Sequence, residues 1–274
     1  MTGRRPVRLF YQSLGVSRRS ESGPYAGKLR AILKGAVAPG TEIDIFGLSP
    51  NRAIADQYRY LEHLDTGEIL DNGLRAEREG YDAFLIGNIF EPGLHALREV
   101  LNIPVIGLCE ASVTLASLMA PNFSVVNVNP KFARRVTENI ASYGLSSRLV
   151  SIDRMAVERA AMFDEGFDDK TVRDKVFDQF RAAARDGLAK GAEAVIPAGG
   201  IVMTLLADAG MHEVDGAPIV NGLLALAKIG ELAAGIRALT GHFTSKRLTY
   251  APPAGALLDD IRRAYGDHVY PGAR

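Results

Sequence analysis

Residues 80–88 read GYDAFLIGN, and residues 191–199 read GAEAVIPAG. Both open with Gly, one variable residue, an acid and Ala, then run through an apolar stretch that ends on small residues. Each is followed by a helical pattern and a second apolar stretch that starts near a proline, IPVIGLCEA at Pro104 and APIVNGLLA at Pro218. Superposing Gly80 on Gly191 sets Asn88 opposite Gly199, and superposing the two prolines sets Gly107 opposite Asn221. A repeat of roughly 110 residues is too long for a solenoid. It reads instead as two similar α/β lobes facing each other.

Other strand-like runs surround this repeat, and the full set is Val7–Tyr11, Glu42–Phe46, Ala83–Gly87, Pro104–Leu108, Ser124–Val128, Arg148–Ile152, Ala194–Pro197 and Pro218–Val220. Helical patterns lie between several of them, at Tyr25–Lys34, Leu94–Val100, Lys131–Tyr143 and Asp169–Lys190. In the last, Val172, Val176, Phe180 and Ala184 recur every four residues and so share one helix face. Gly144 and Gly191 follow the final turns of two of these helices, where a left-handed residue ends a helix. Strands alternating with helices imply βαβ units and mostly parallel sheets. The expected fold is therefore α/β, with two pseudo-symmetric, flavodoxin-like lobes, parallel sheets and an active site in the cleft between the lobes. Residues 1–112 plus 222–274 are expected to form the first lobe, and residues 113–221 the second. From His242 onward the chain breaks at Pro252-Pro253 and then places Leu257, Leu258, Ile261 and Tyr265 at helical spacing. That stretch reads as an arm on another subunit or as a helix on its own chain.

Composition narrows the chemistry. One cysteine in 274 residues excludes an intramolecular disulfide, a cysteine-based zinc site and any mechanism that needs two thiols from one chain. Thirty-two basic and 32 acidic side chains leave no net charge, which argues against nucleic-acid binding. No apolar run reaches the roughly 18 residues of a membrane helix, and Val7–Tyr11 is too short for a signal sequence. The five histidines, His63, His95, His212, His242 and His268, show no metal-ligand spacing, and no glycine loop for phosphates opens a helix. The expectation is a cytoplasmic homo-oligomer with a small-molecule substrate, no metal, no cofactor, and neither nucleic-acid nor membrane partners.

In open parallel sheets, ligands sit beyond the carboxyl ends of the strands. The residues to weigh are therefore Gln12, Ser13, Asn88 to Glu91, Cys109 to Ser112, Asn127, Asn129, Gly199, Gly200 and Asn221. Cys109 follows an apolar strand and opens a helical pattern, Ala111–Met119. A helix N-terminus lowers a thiol pKa, so Cys109 reads as a nucleophile or proton carrier, or else as a small buried hydrophobe. Glu110 either complements the helix dipole or serves as an acid–base group if a closed cleft raises its pKa. Ser112 can donate to a substrate oxygen or be a first-turn residue. Asn88 can bind an amide, ureide or carboxylate but cannot act as a base; its other reading is a turn residue. Glu91 precedes Pro92-Gly93 at a helix start, where complementing the helix charge is its simplest role and catalysis the other. Gly199-Gly200 would let backbone N–H groups approach a ligand. Gln12, Ser13 and Asn127 are polar groups at strand ends, and Tyr11 is a strand-core or cleft-lining residue.

The segments IGNIFEPGLHALRE, IPVIGLCEAS, FSVVNVNPKF and GAEAVIPAGGIVMTLLAD together resemble the aspartate/glutamate/hydantoin racemase superfamily, and most of all its hydantoin racemase branch. The resemblance runs over most of residues 7–235. It implies two α/β lobes related by a pseudo-twofold axis, and a cofactor-independent enzyme for small carboxylates or ureides. It also implies two thiols that exchange the substrate α-proton from opposite faces, but those positions are Asn88 and Gly199 here. A Glu matching Glu110 and an Asn-containing segment matching Gln12 and Ser13 complete the family pattern. The expected function is an isomerase or decarboxylase working through an enolate, with Cys109 or Glu110 carrying the proton. Hydrolysis of an amide or ring by Glu110 or Cys109, and a catalytically inactive binding protein, are the alternatives.

Overall fold

The computed structural model describes residues 5–14, 24–49, 52, 57–157 and 162–273. The reading of the N-terminus as lacking a signal sequence falls partly on residues 1–4, which lie outside that set. The strands are β1 (Val7–Gln12), β2 (Thr41–Phe46), β3 (Ala83–Ile86), β4 (Val105–Gly107), β5 (Phe123–Asn127), β6 (Leu149–Arg154), β7 (Val195–Pro197), β8 (Glu213–Val214) and β9 (Ala217–Pro218). The helices are α1 (Pro24–Ala36), α2 (Arg59–Arg78), α3 (Leu94–Val100), α4 (Leu108–Met119), α5 (Pro130–Ser142), α6 (Met162–Glu165), α7 (Lys170–Ala189), α8 (Gly200–Asp208), α9 (Gly222–Thr240) and α10 (Gly255–Tyr265).

All four residues of β3 are buried, as a central parallel strand covered on both faces requires. It pairs in parallel with β1 and β4, and β2 closes the sheet beyond β1, giving the order β2-β1-β3-β4. The second sheet has the order β6-β5-β7, also parallel. Beyond β7, Ile219 forms a parallel bridge to Val195, so the second sheet repeats the order of the first. The strand expected at Pro218–Val220 is shorter than its counterpart β4. Pro218 has no N–H to give a ladder, and Ala217–Pro218 pairs antiparallel with β8 instead.

Two helices cross between the lobes. Helix α4 leaves β4 and packs on β7 and α5, while α9 leaves the second sheet and packs on β1, β3 and β4. They also pack on each other, and the approach is close. A Cβ on Gly222 would overlap the Ser112 hydroxyl, and one on Gly230 would lie 2.7 Å from Leu85. Three helices are capped by the polar residue ahead of them. Asn129 accepts from Phe132 N–H, Asp169 from Thr171 and Val172 N–H, and Asn221 from Leu223 N–H. Such caps contribute about 1 kcal/mol each. The segment after His242 lies on its own chain. Lys246 donates to the carbonyls of Arg98 and Glu99 at the end of α3, Tyr250 bonds His95 at 2.8 Å, and Tyr270 donates to Glu99. Among the described residues no helix is long and apolar enough to cross a membrane.

Candidate active site

The end of β3 and the start of α8 face each other across the lobe boundary. A Cβ built on Gly200 would lie 4.0 Å from the Gly87 carbonyl oxygen and 3.4 Å from the Tyr25 hydroxyl. Asn88 follows Gly87 and Gly199 precedes Gly200, so the residues paired by the repeat flank this meeting point. The Tyr11 phenol packs against Gly87 so closely that any Cβ there would overlap its ring and hydroxyl. Burial raises the Tyr11 pKa well above its ordinary value, and the neighbouring Tyr25 raises it further. Its hydroxyl is therefore a neutral donor. Tyr25 was not among the expected residues. Its signal was there, because Pro24-Tyr25 opens the helix after the first strand, and helix starts lie at the same sheet edge as strand ends. Gly199 has φ 151°, a conformation that a side chain opposes. It caps α8 without a side chain, so the first N–H groups of that helix have no intrahelical partner.

The other expected residues divide into engaged and open. Gln12 is fully buried; its amide donates to the Ser13 carbonyl at 3.0 Å and accepts from Asn72 at 2.9 Å. Both ends of that amide are thus engaged inside the first lobe. Ser13 is buried, with its N–H bonded to the Phe46 carbonyl. Ser112 is also buried and donates to the Leu108 carbonyl at 2.6 Å, so its hydroxyl serves its own helix. Asn88 accepts from Phe90 N–H at 2.8 Å, closing a local turn. Asn127 is buried at the end of β5. Its amide donates to the Asp153 carbonyl at 3.2 Å, but its oxygen has no hydrogen-bond partner among the described residues.

Cys109 and Glu110 sit differently from expectation. Helix α4 starts at Leu108, three residues earlier than its pattern suggested, so Cys109 lies inside the first turn rather than ahead of it. The thiol is buried. Its pKa is raised well above the ordinary thiol value by burial and then by Glu91 and Glu110. That reverses the lowering expected from a helix start, because desolvation outweighs the dipole here. Glu110 is ion-paired with Arg98 at 2.5 Å, and Arg98 also donates to the Val105 carbonyl at the start of β4.

Glu91 occupies the centre of this region. Its backbone is left-handed, with φ 57°, which costs a residue with a side chain on the order of 1 kcal/mol. That turn sends the carboxyl group inward, where only 5% of the residue is exposed. One oxygen accepts from Glu110 N–H at 2.8 Å and the other from Asn139 at 3.3 Å and from the Tyr143 hydroxyl. Any Cβ on Gly107 would overlap the carboxyl group. Burial pushes the Glu91 pKa up to about 7, against the lowering effect of the Tyr143 and Glu110 hydrogen bonds. Glu91 thus caps α4 rather than α3, the helix it directly precedes. Among the described residues no cluster of His, Cys, Asp and Glu could hold a metal ion.

The sequence model of the Asp/Glu/Hydantoin racemase family matches residues 24–229. The chain belongs to that family. A hydantoin racemase from Pseudomonas sp. (strain NS671) is 31% identical over 217 residues, covering 79% of this chain and 82% of the relative. One from Rhizobium meliloti is 32% identical over 184 residues, covering 65% and 69%. Among solved structures, the allantoin racemase from Klebsiella pneumoniae superposes with a TM-score of 0.71 at 22% identity, covering 91% of this chain and 94% of that one. The glutamate racemase from Bacillus anthracis does so at 0.60 and 14% identity, covering 95% and 94%. These structural likenesses establish the two-lobed racemase fold. In this racemase-family enzyme, Asn88 and Gly199 flank the point where the lobes meet.

Proposed function

We propose that this racemase-family enzyme works without a cofactor on a small ureide, cyclic imide or carboxylate, through an enolate-type intermediate and without paired thiols. The observation that carries this reading is the meeting of Gly87-Asn88 with Gly199-Gly200, beside the Tyr11 and Tyr25 hydroxyls. Neutral hydroxyls and helix N–H groups suit a negative charge that develops on a carbonyl oxygen. Asn88 adds a neutral amide, and the unpartnered Asn127 oxygen suits a ligand N–H. The named substrates of the relatives, hydantoin and allantoin, carry both groups. Of the two expected proton carriers, Glu110 keeps 25% of its side chain exposed, whereas Cys109 is shut away. Glu110 is the carrier in this reading. Leu118, Leu232 and Leu239, exposed along the crossing helices, support an assembly of several copies, and this reading keeps the enzyme in the cytoplasm.

Binding without turnover is the second reading, favoured by the absence of a thiol at either facing strand end. One experiment separates them. The protein is incubated in deuterium oxide with enantiopure 5-substituted hydantoins, allantoin, malonates and cyclic imides, and followed by proton NMR. Loss of the α-proton signal together with optical activity supports the enolate reading, and ring opening would replace it with hydrolysis. A ligand that raises the melting temperature yet stays unchanged would replace it with binding alone.

A further inference from the structure

The turn that carries Asn88 is held from three sides. Within the turn, Glu91 N–H donates to the Asn88 carbonyl at 3.1 Å, so the two residues move as one unit. From the first lobe, the α4 N-terminus is bonded to the Glu91 carboxyl group. From the second lobe, α5 grips the whole turn. Asn139 donates to the Ile89 carbonyl at 3.1 Å and to Glu91, Tyr143 donates to Glu91, Phe132 packs edge-on to Phe90, and the Arg135 guanidinium lies over the Phe90 ring. Arg135 is itself paired with Glu62 of α2 at 2.6 Å.

We propose that Glu91 is a positioning residue, whose carboxyl group joins α4 to α5 and thereby sets where Asn88 stands at the lobe boundary. An ionised carboxylate accepts all three donors, from Glu110 N–H, Asn139 and Tyr143. A protonated one must donate through one oxygen and gives up part of that set. The turn therefore has two settings. Ionisable groups face Glu91 from every element around it: Cys109 and Glu110 from α4, Arg98 from α3 and Tyr143 from the C-cap of α5. Burial raises the carboxyl pKa most, and the Glu110 charge raises it further; Tyr143, Glu110 N–H and Arg98 oppose them. The equivalent position in the second lobe, three residues after Gly199, is Val202, which has no such chemistry.

The inference rests on the proposed function only for its activity arm, so two measurements are made on the full-length protein. The first follows the Asn88 side-chain amide in proton–nitrogen correlation spectra from about pH 5 to about pH 9, with the resonance assigned by its loss in Asn88→Asp. Its shift is expected to titrate with a midpoint of about 7. The titration is expected to vanish in Glu91→Gln. In Tyr143→Phe the midpoint is expected to rise, because a donor that favours the carboxylate is gone. An Asn88 amide that does not titrate, or one that titrates unchanged in both variants, overturns the inference. If Glu91→Gln fails to fold, the Tyr143→Phe midpoint decides alone. The second measurement is deuterium exchange into 5-benzylhydantoin. The expected result for Glu91→Gln is a fall of about tenfold in kcat at similar KM, with the wild-type pH dependence near neutrality flattened. An unchanged pH profile overturns the positioning role, whereas no exchange by the wild type removes the proposed function and leaves the spectral result to judge Glu91.

Discussion

Helices α4 and α9 occupy matching places in the two halves of the repeat, yet they begin on opposite chemistry. Helix α9 is capped by its own Asn221, a neutral amide that also donates to the Met203 carbonyl at 2.7 Å. Helix α4 starts after Gly107, which has no side chain to offer, and borrows the Glu91 carboxyl group, which accepts from Glu110 N–H across nineteen residues of chain. The borrowed cap needs the empty space that Gly107 leaves and the left-handed turn that Glu91 adopts. In return, the start of α4 carries a buried carboxyl group where the start of α9 carries a neutral amide. The duplicated frame is kept in both halves, while the caps of the two matching helices differ in charge. A site between two similar lobes can in this way be asymmetric without any change of fold.

Four measurements can break or sharpen that contrast. The largest effect expected is on the pH dependence of stability. The Glu91 pKa stands at about 7 in the folded chain against an ordinary 4.5. The folded state therefore holds a proton that the unfolded state has lost between those values. The resulting stability is fully present below about pH 4.5 and lost as pH rises through about 7, a change of about 3 kcal/mol. Urea unfolding across this window should show the slope in the wild type and lose most of it in Glu91→Gln; an equal slope in both proteins removes the borrowed cap from the account. Next, Gly107→Ala should cost about 2 kcal/mol by forcing the carboxyl group aside, and it should also weaken the pH slope. Gly199→Ala meets no neighbouring atom, so its cost is backbone strain alone, about 1–2 kcal/mol. The same strain opposes placing a thiol there. The smallest change is expected for Asn221→Ala, about 1 kcal/mol with no pH dependence. If it matched Gly107→Ala in both size and pH behaviour, the two caps would be equivalent after all.

The frame was legible because it is written in local signals. The two Gly-x-acid-Ala strands, the parallel sheets and the extents of α1, α3, α5 and α7 follow from periodicity, and Leu94–Val100 matches α3 to the residue. Helix α2 was not seen. Its sequence carries Gly67 and Gly73 and few apolar residues, and its burial against α3 is a tertiary fact: a Cβ on Gly73 would overlap Leu97. The candidate site is read from strand ends, and the partners of its side chains are not legible there. The repeat pairs Asn88 with Gly199, and the two follow the ends of the matching strands β3 and β7. That Gln12 is spent on Asn72, or that Glu91 meets Tyr143 fifty-two residues away, depends on contacts between segments distant in sequence. Cys109 shows how a local rule can lose. The helix start is real, but burial beside two carboxylates decides the thiol.

The crossing of α4 and α9 bears on how the chain could be divided. The sheet built from β1 to β4 takes one of its covering helices from residues 222–240, beyond the whole second sheet. A fragment ending before β5 would carry a complete strand order with one face stripped of that helix. Such a half would expose apolar surface until it met the remainder of the chain. Nicking the loop between α4 and β5 should thus give two pieces that remain bound and are recovered together, as a complemented pair.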